Sequence, residues 1–65
     1  MAEPLTRREI EVLRLFRSDL SLRDIGNELD ITLNTAKGYA KTIYRKLAIN
    51  SRAEAVSVAT QAGLI

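Results

Sequence analysis

Apolar residues in this chain recur at helical spacing, and each recurrence follows a residue able to cap a helix. The first case is Leu5-Thr6-Arg7-Arg8-Glu9-Ile10. There the Thr6 hydroxyl can accept from an early backbone N–H while Glu9 reaches back to the Thr6 amide, a capping box. Leu5 and Ile10 occupy the two positions of a hydrophobic staple, and Ile10, Leu13 and Phe16 continue an apolar face that Val12 and Leu15 widen. The pattern predicts a first helix over about residues 7–17. Leu20-Ser21-Leu22-Arg23-Asp24-Ile25 repeats the arrangement in weaker form and predicts a short second helix ending near Leu29. Thr32 is the expected cap of a third helix running to about Leu47. Ser51-Arg52-Ala53-Glu54 reads as another full capping box, and Gly63-Leu64 as the stop of a fourth helix over about residues 52–62.

No alternating apolar pattern of useful length lies between these segments, so the expected class is all-α. The chain reads as a single four-helix domain over residues 1–65, with residues 1–4 as a loose end. Helices two and three are joined only by Asp30-Ile31-Thr32. So short a connection forces a steep crossing, the geometry of a helix-turn-helix with helix three as recognition helix. At about 100° per residue, Ala36, Ala40, Ile43 and Leu47 fall within roughly 40° of one axis and should face the core. Lys37, Lys41, Arg45 and Gly38 then fall roughly 100–200° away from Ala36, facing outward.

Composition narrows what such a surface could do. Sixty-five residues leave room for one small core. The absence of Cys and His removes disulfides, thiol and imidazole catalysis and the usual zinc sites, so no metal or cofactor is expected. No apolar run approaches the ~20 residues of a membrane span, and a soluble, cytoplasmic protein is the expectation. No nucleophile has a base beside it, and Glu9, Glu11, Asp24 and Glu54 are better read as helix N-terminal or surface acids than as enzyme groups.

Net charge is only +2, but its distribution is uneven. From Ile31 to Ala53 there are five cations (Lys37, Lys41, Arg45, Lys46, Arg52) and no acid, while the remaining residues hold five cations and all eight acids. Like charges four apart weaken an isolated helix by a few tenths of a kcal/mol per pair, so Lys37, Lys41 and Arg45 are not arranged for helix stability. Between them stand Asn34, Thr35 and Gly38, small or hydrogen-bonding residues that let the helix surface approach another body. A helix fits the DNA major groove, where Lys reaches guanine O6 and N7, Asn pairs with adenine, and Thr hydroxyls and helix N-terminal amides suit phosphates.

Over nearly the whole chain, "LTRREIEVLRLF…SLRDIGNELDITLNTAKGYAKTIYRKLAINSRAEAV…AGLI" resembles the DNA-binding domain of LuxR-type (FixJ/NarL-type) bacterial transcriptional regulators. The shared pattern is L-T-x-R-E at the start, S-x-x-[DE]-I-[AG] in helix two, I-[ST]-x-x-T-[VA]-K in helix three, then K-L, S-R and a terminal G-L. The "TLNT" and "IYRKL" segments look most like the branch whose parents are large ATP-binding regulators. The resemblance implies sequence-specific binding of double-stranded DNA for transcriptional regulation, with contact to the transcription machinery as a further expectation. It places Lys37 and Lys41 at base-reading or groove-phosphate positions, beside Asn34 and Gly38, and puts Thr35 and Arg45 on phosphates. It also implies phosphate contacts from Lys46, Arg23 and Arg52, although Arg52 is equally open to a structural ion pair with Glu9 or Glu54.

Five positions depart from the family pattern: Gly38 replaces a larger side chain, Tyr39 stands where His is frequent, Ala36 replaces Val, and Leu33 and Leu22 occupy positions often polar. In helix four, Ala55, Val56, Ala59 and Ala62 suffice for a core face and leave Val58 surplus. Because the family pairs through this helix, Val58, Ala55 and Ala62 are the expected contacts of a homodimer on DNA. Two rival readings share the same helices: an interaction module whose basic helix docks an acidic protein, and a promoter-reading domain of the sigma-factor kind.

Overall fold

The computed structural model describes residues 4–65, which form four helices and no strand: α1 (Arg7–Leu15), α2 (Leu22–Glu28), α3 (Leu33–Leu47) and α4 (Arg52–Gln61). Each begins at the cap the sequence predicts. At α1 the Thr6 hydroxyl accepts from the Glu9 N–H (3.2 Å) and a Glu9 carboxylate oxygen accepts from the Thr6 N–H (2.7 Å). The box at α2 is complete as well, with Ser21 and Asp24 exchanging the same two bonds. At α4 only half of the expected box forms. Ser51 caps the Glu54 N–H, but the Glu54 carboxylate reaches one residue further back, to the Asn50 N–H at 3.4 Å.

The helix ends divide into two kinds. Helices α2, α3 and α4 each end on a residue in the left-handed region, Asp30 (φ 58°), Ala48 (φ 56°) and Gly63 (φ 74°). After each, an N–H folds back five residues: Ile31 to the Gly26 carbonyl (2.8 Å), Ile49 to Tyr44 (3.0 Å) and Leu64 to Ala59 (2.8 Å). These bonds satisfy carbonyls that have no partner within the helix. Only Gly63 was legible as such a stop, since Asp30 and Ala48 carry side chains that disfavour the conformation. Replacing Ala48 with Gly is therefore expected to stabilise the domain by about 1 kcal/mol, read as a higher melting temperature in circular dichroism. An unchanged or lower melting temperature would mean that Ala48 carries no strain.

Helix α1 ends differently, and earlier than expected. Its last turn tightens into three-residue bonds, Arg17 N–H to Arg14 and Ser18 N–H to Leu15, so the α-helix stops at Leu15 rather than near residue 17. The exposed carbonyls there are taken by a side chain from α4, described below.

Helix α3 packs on all three of the others, which places it at the centre of the domain. The core holds Val12 and Leu13 from α1 with Phe16 at its C-terminal cap, Ile25 from α2, Ala40 and Ile43 from α3, and Ala55 and Ala59 from α4. Tyr44 leans its ring on Phe16, with centroids 6.2 Å apart. Of the expected core face of α3, Ala36, Ala40 and Ile43 are buried and Leu47 is half-buried. Two expectations fail at the edges. Ile10 is half-buried beside Arg7, Glu11 and Arg14 rather than inside, and Ala62 lies beyond the end of α4, exposed. The α2–α3 turn is held tight by Gly26, where an added Cβ would meet the Ile31 carbonyl at 2.9 Å. That close approach brings the start of α3 against α2 and fixes which face of α3 stays outside.

The loose-end expectation for residues 1–4 falls mostly outside the described residues. Pro4 is within them, and its carbonyl accepts from Lys46 Nζ at 3.2 Å. Among the described residues no helix is long and apolar enough to cross a membrane.

Candidate nucleic-acid interface

Because α3 commits Ala36, Ala40 and Ile43 to the core, its opposite side is a continuous outer surface. Asn34, Thr35, Lys37, Gly38, Lys41 and Arg45 are all exposed there. Neither Lys37 nor Lys41 is ion-paired among the described residues. At the entrance to the helix the Thr32 hydroxyl caps the Thr35 N–H and also hydrogen-bonds the Thr35 hydroxyl at 2.9 Å. No acid occupies the first turn of α3, so the positive end of its dipole is left uncompensated. Arg23 on α2 is exposed as well.

Two of the expected phosphate contacts are spent inside the domain. Lys46 is on the α1 side of α3, roughly 100° from Arg45 and roughly 140° from Lys41 by helical geometry. Its Nζ lies 2.9 Å from Glu9 Oε1, and the two side chains are only 9% and 6% exposed. The ammonium is thus the counter-ion of a buried carboxylate, and a phosphate contact from Lys46 would have to break that pair. Arg52 is committed elsewhere again. Its guanidinium donates to the carbonyls of Phe16 (3.1 Å), Ser18 (2.8 Å) and Leu15 (3.4 Å) and lies over the Phe16 ring, 5.2 Å from the centroid. Arg52 therefore closes the end of α1, which lacks a left-handed cap, and its partners are these carbonyls rather than Glu9 or Glu54.

Glu9 is where the cap of α1 and the side of α3 meet. Burial by itself would raise its carboxyl pKa, but the Thr6 N–H, the Lys46 ammonium and the Thr6 hydroxyl together outweigh burial and hold it below its ordinary 4.5. Sequence spacing revealed the cap but not the ion pair, which joins residues 37 positions apart.

Beside this pair, Glu9, Thr35, Gly38, Tyr39 and Thr42 line an open cleft of ≈ 340 Å³ on the outer flank of α3. Thr42 was not singled out by sequence reasoning, although its spacing, seven after Thr35 and four after Gly38, marks the same face.

The expected dimer contacts separate in the same way. Ala55 is wholly buried in its own core and offers no surface to a second chain, which corrects that assignment. Val58 is half-buried and Ala62 exposed.

Four capped helices with a tight α2–α3 turn and an open basic face on α3 define a helix-turn-helix domain of the DNA-binding class. The chain belongs to the family described as bacterial regulatory proteins, luxR family, whose profile matches residues 3–59. It is 45% identical over 58 residues to the HTH-type transcriptional regulator MalT of Vibrio cholerae, a match covering 89% of this chain and 6% of that protein. The Yersinia pestis MalT is similarly 45% identical over 56 residues, covering 86% of this chain and 6% of the relative. The chain thus spans a small fraction of the curated relatives it matches. Among solved structures, response regulator ChrA of a heme-sensing two-component system superposes with a TM-score of 0.93 at 35% identity. That superposition covers 100% of this chain and 32% of ChrA.

Proposed function

We propose that this domain regulates transcription by binding double-stranded DNA sequence-specifically, with α3 lying in the major groove. The observation that carries the reading is the outer face of α3, where Lys37 and Lys41 stand exposed, without ion pairs among the described residues and turned away from the core face. Lys37, Lys41 and Asn34 face base edges, with Gly38 between them at the point of closest approach. Thr35 near the helix start, Arg45 further along and Arg23 on α2 hold phosphates on either side. Two copies pair on DNA through the Val58 and Ala62 side of α4, presenting two α3 helices to half-sites about one turn apart.

A salt titration tests the reading. Lys46 and Arg52 are engaged internally, and the proposed contact set then holds four cations, Arg23, Lys37, Lys41 and Arg45. A plot of log affinity against log salt is then expected to have a slope no steeper than about −4 per domain. A much steeper slope would mean that Lys46 or Arg52 leaves its internal partners. Absence of duplex binding even at low salt would overturn the reading and favour an acidic protein partner for the same face.

A further inference from the structure

The domain has two glycines inside helices, and only one has a reason within the fold. A Cβ at Gly26 would collide with the Ile31 carbonyl at 2.9 Å, whereas a Cβ at Gly38 would meet nothing within 4 Å. Gly38 also needs no unusual backbone, since it lies in the middle of α3 and outside the positive-φ residues. Glycine is among the least favourable residues in a helix interior, because it loses the most backbone freedom on folding. The fold therefore carries a weak helix former at a site where alanine would fit without contact.

The position of Gly38 says what the missing side chain does. It projects about 200° around the helix from Ala36, almost opposite the core residues, and so lies on the crest of the exposed face. Asn34 precedes it by four residues and Thr42 follows by four, with Lys37 and Lys41 on its flank. The crest is notched where its highest point would otherwise be, and the notch opens into the cleft lined by Thr35, Tyr39 and Thr42. A surface of that shape lets the helix backbone come closer to a facing body than its neighbouring side chains would suggest.

We propose that Gly38 sets the depth at which α3 seats in the major groove. Without a side chain at the crest, the base-pair edges approach the helix backbone, and Asn34, Lys37 and Lys41 reach bases on either side of it. The inference rests on the DNA-binding reading above and adds a residue that acts through its lack of atoms. It separates stability from binding, because a methyl group at this site improves the helix and thickens its crest together.

Gly38→Ala tests it, and the open space around the site means that the variant folds. Its melting temperature should rise by roughly 3–6 °C. Its affinity for the duplex that the wild-type domain selects from a random pool should fall about tenfold or more, with a smaller loss on random duplex at low salt. A selection repeated with Gly38→Ala should return a weaker or altered consensus. If the variant is more stable and binds the selected duplex as tightly as wild type or more tightly, the inference is overturned while DNA binding stands. If the wild-type domain selects no duplex at all, the DNA-binding reading falls and takes the inference with it.

Discussion

Replacing Lys37 and Lys41 together with alanine is expected to lower affinity for the selected operator by about 100-fold or more, while the domain stays folded. Each good contact from a Lys to guanine contributes about 1–3 kcal/mol of discrimination, so losing two removes most of the preference for one sequence over another. Folding should not suffer. Both side chains are exposed and have no ion pair among the described residues, and they belong to a row of like charges whose removal relieves a few tenths of a kcal/mol per pair. Binding to operator and random duplexes, measured at several salt concentrations, shows which role each Lys has. A reader lost from the interface collapses the ratio of specific to non-specific affinity. A lost phosphate contact weakens both duplexes alike and flattens the salt slope by about 1. Unchanged affinity for both duplexes would remove α3 from the interface.

The same helix shows how far the sequence could be read. Local bonds were legible: the caps at Thr6, Ser21, Thr32 and Ser51 depend on side chains within three residues of the amides they satisfy, and all four form. The division of α3 into a core side and an open side also followed from periodicity alone. The assignment of individual cations did not. Lys37, Lys41, Lys46 and Arg52 look alike in sequence, but the last two are drawn inward by groups on α1 more than thirty positions away. Lys46 meets a carboxylate already fixed by its own cap. Arg52 meets carbonyls left open because α1 ends without a left-handed residue. Neither demand could be seen until α1 was packed against α3 and α4. Ala55 failed as a dimer contact for a related reason: alanine permits a close approach of helices, and the approach it permits here is within the chain, where it is fully buried.

Glu9→Gln should be among the most destabilising single changes in the domain, lowering stability by about 2–3 kcal/mol at neutral pH. Glutamine keeps the shape and still accepts the Thr6 N–H, so the cap of α1 survives. The same oxygen accepts from Lys46, so what disappears is the charge opposite the ammonium, left facing neutral acceptors in a site where its side chain is 9% exposed. Removing one member of a buried pair typically costs about 3–5 kcal/mol, and the water-facing edge of this pair brings the expected value below that range. For a domain of this size, whose total stability is about 3–10 kcal/mol, the loss is large enough to populate unfolded chains. The acid dependence of the wild-type domain provides an independent check. Glu9 titrates below its ordinary 4.5 in the folded state. Its contribution is therefore complete above the unfolded-state pKa and is lost as pH falls through the lower, folded-state value. The gap between wild type and Glu9→Gln in urea unfolding should accordingly be widest near pH 7 and shrink below about pH 4. Lys46→Met in the Glu9→Gln background should recover much of the lost stability, because the glutamine keeps the Thr6 bond and an apolar side chain at 46 needs no counter-charge. Equal stability of Glu9→Gln and wild type at pH 7 would show that the pair contributes nothing. Lys46 would then be free to leave Glu9 for a phosphate, and the salt slope of DNA binding would steepen to match.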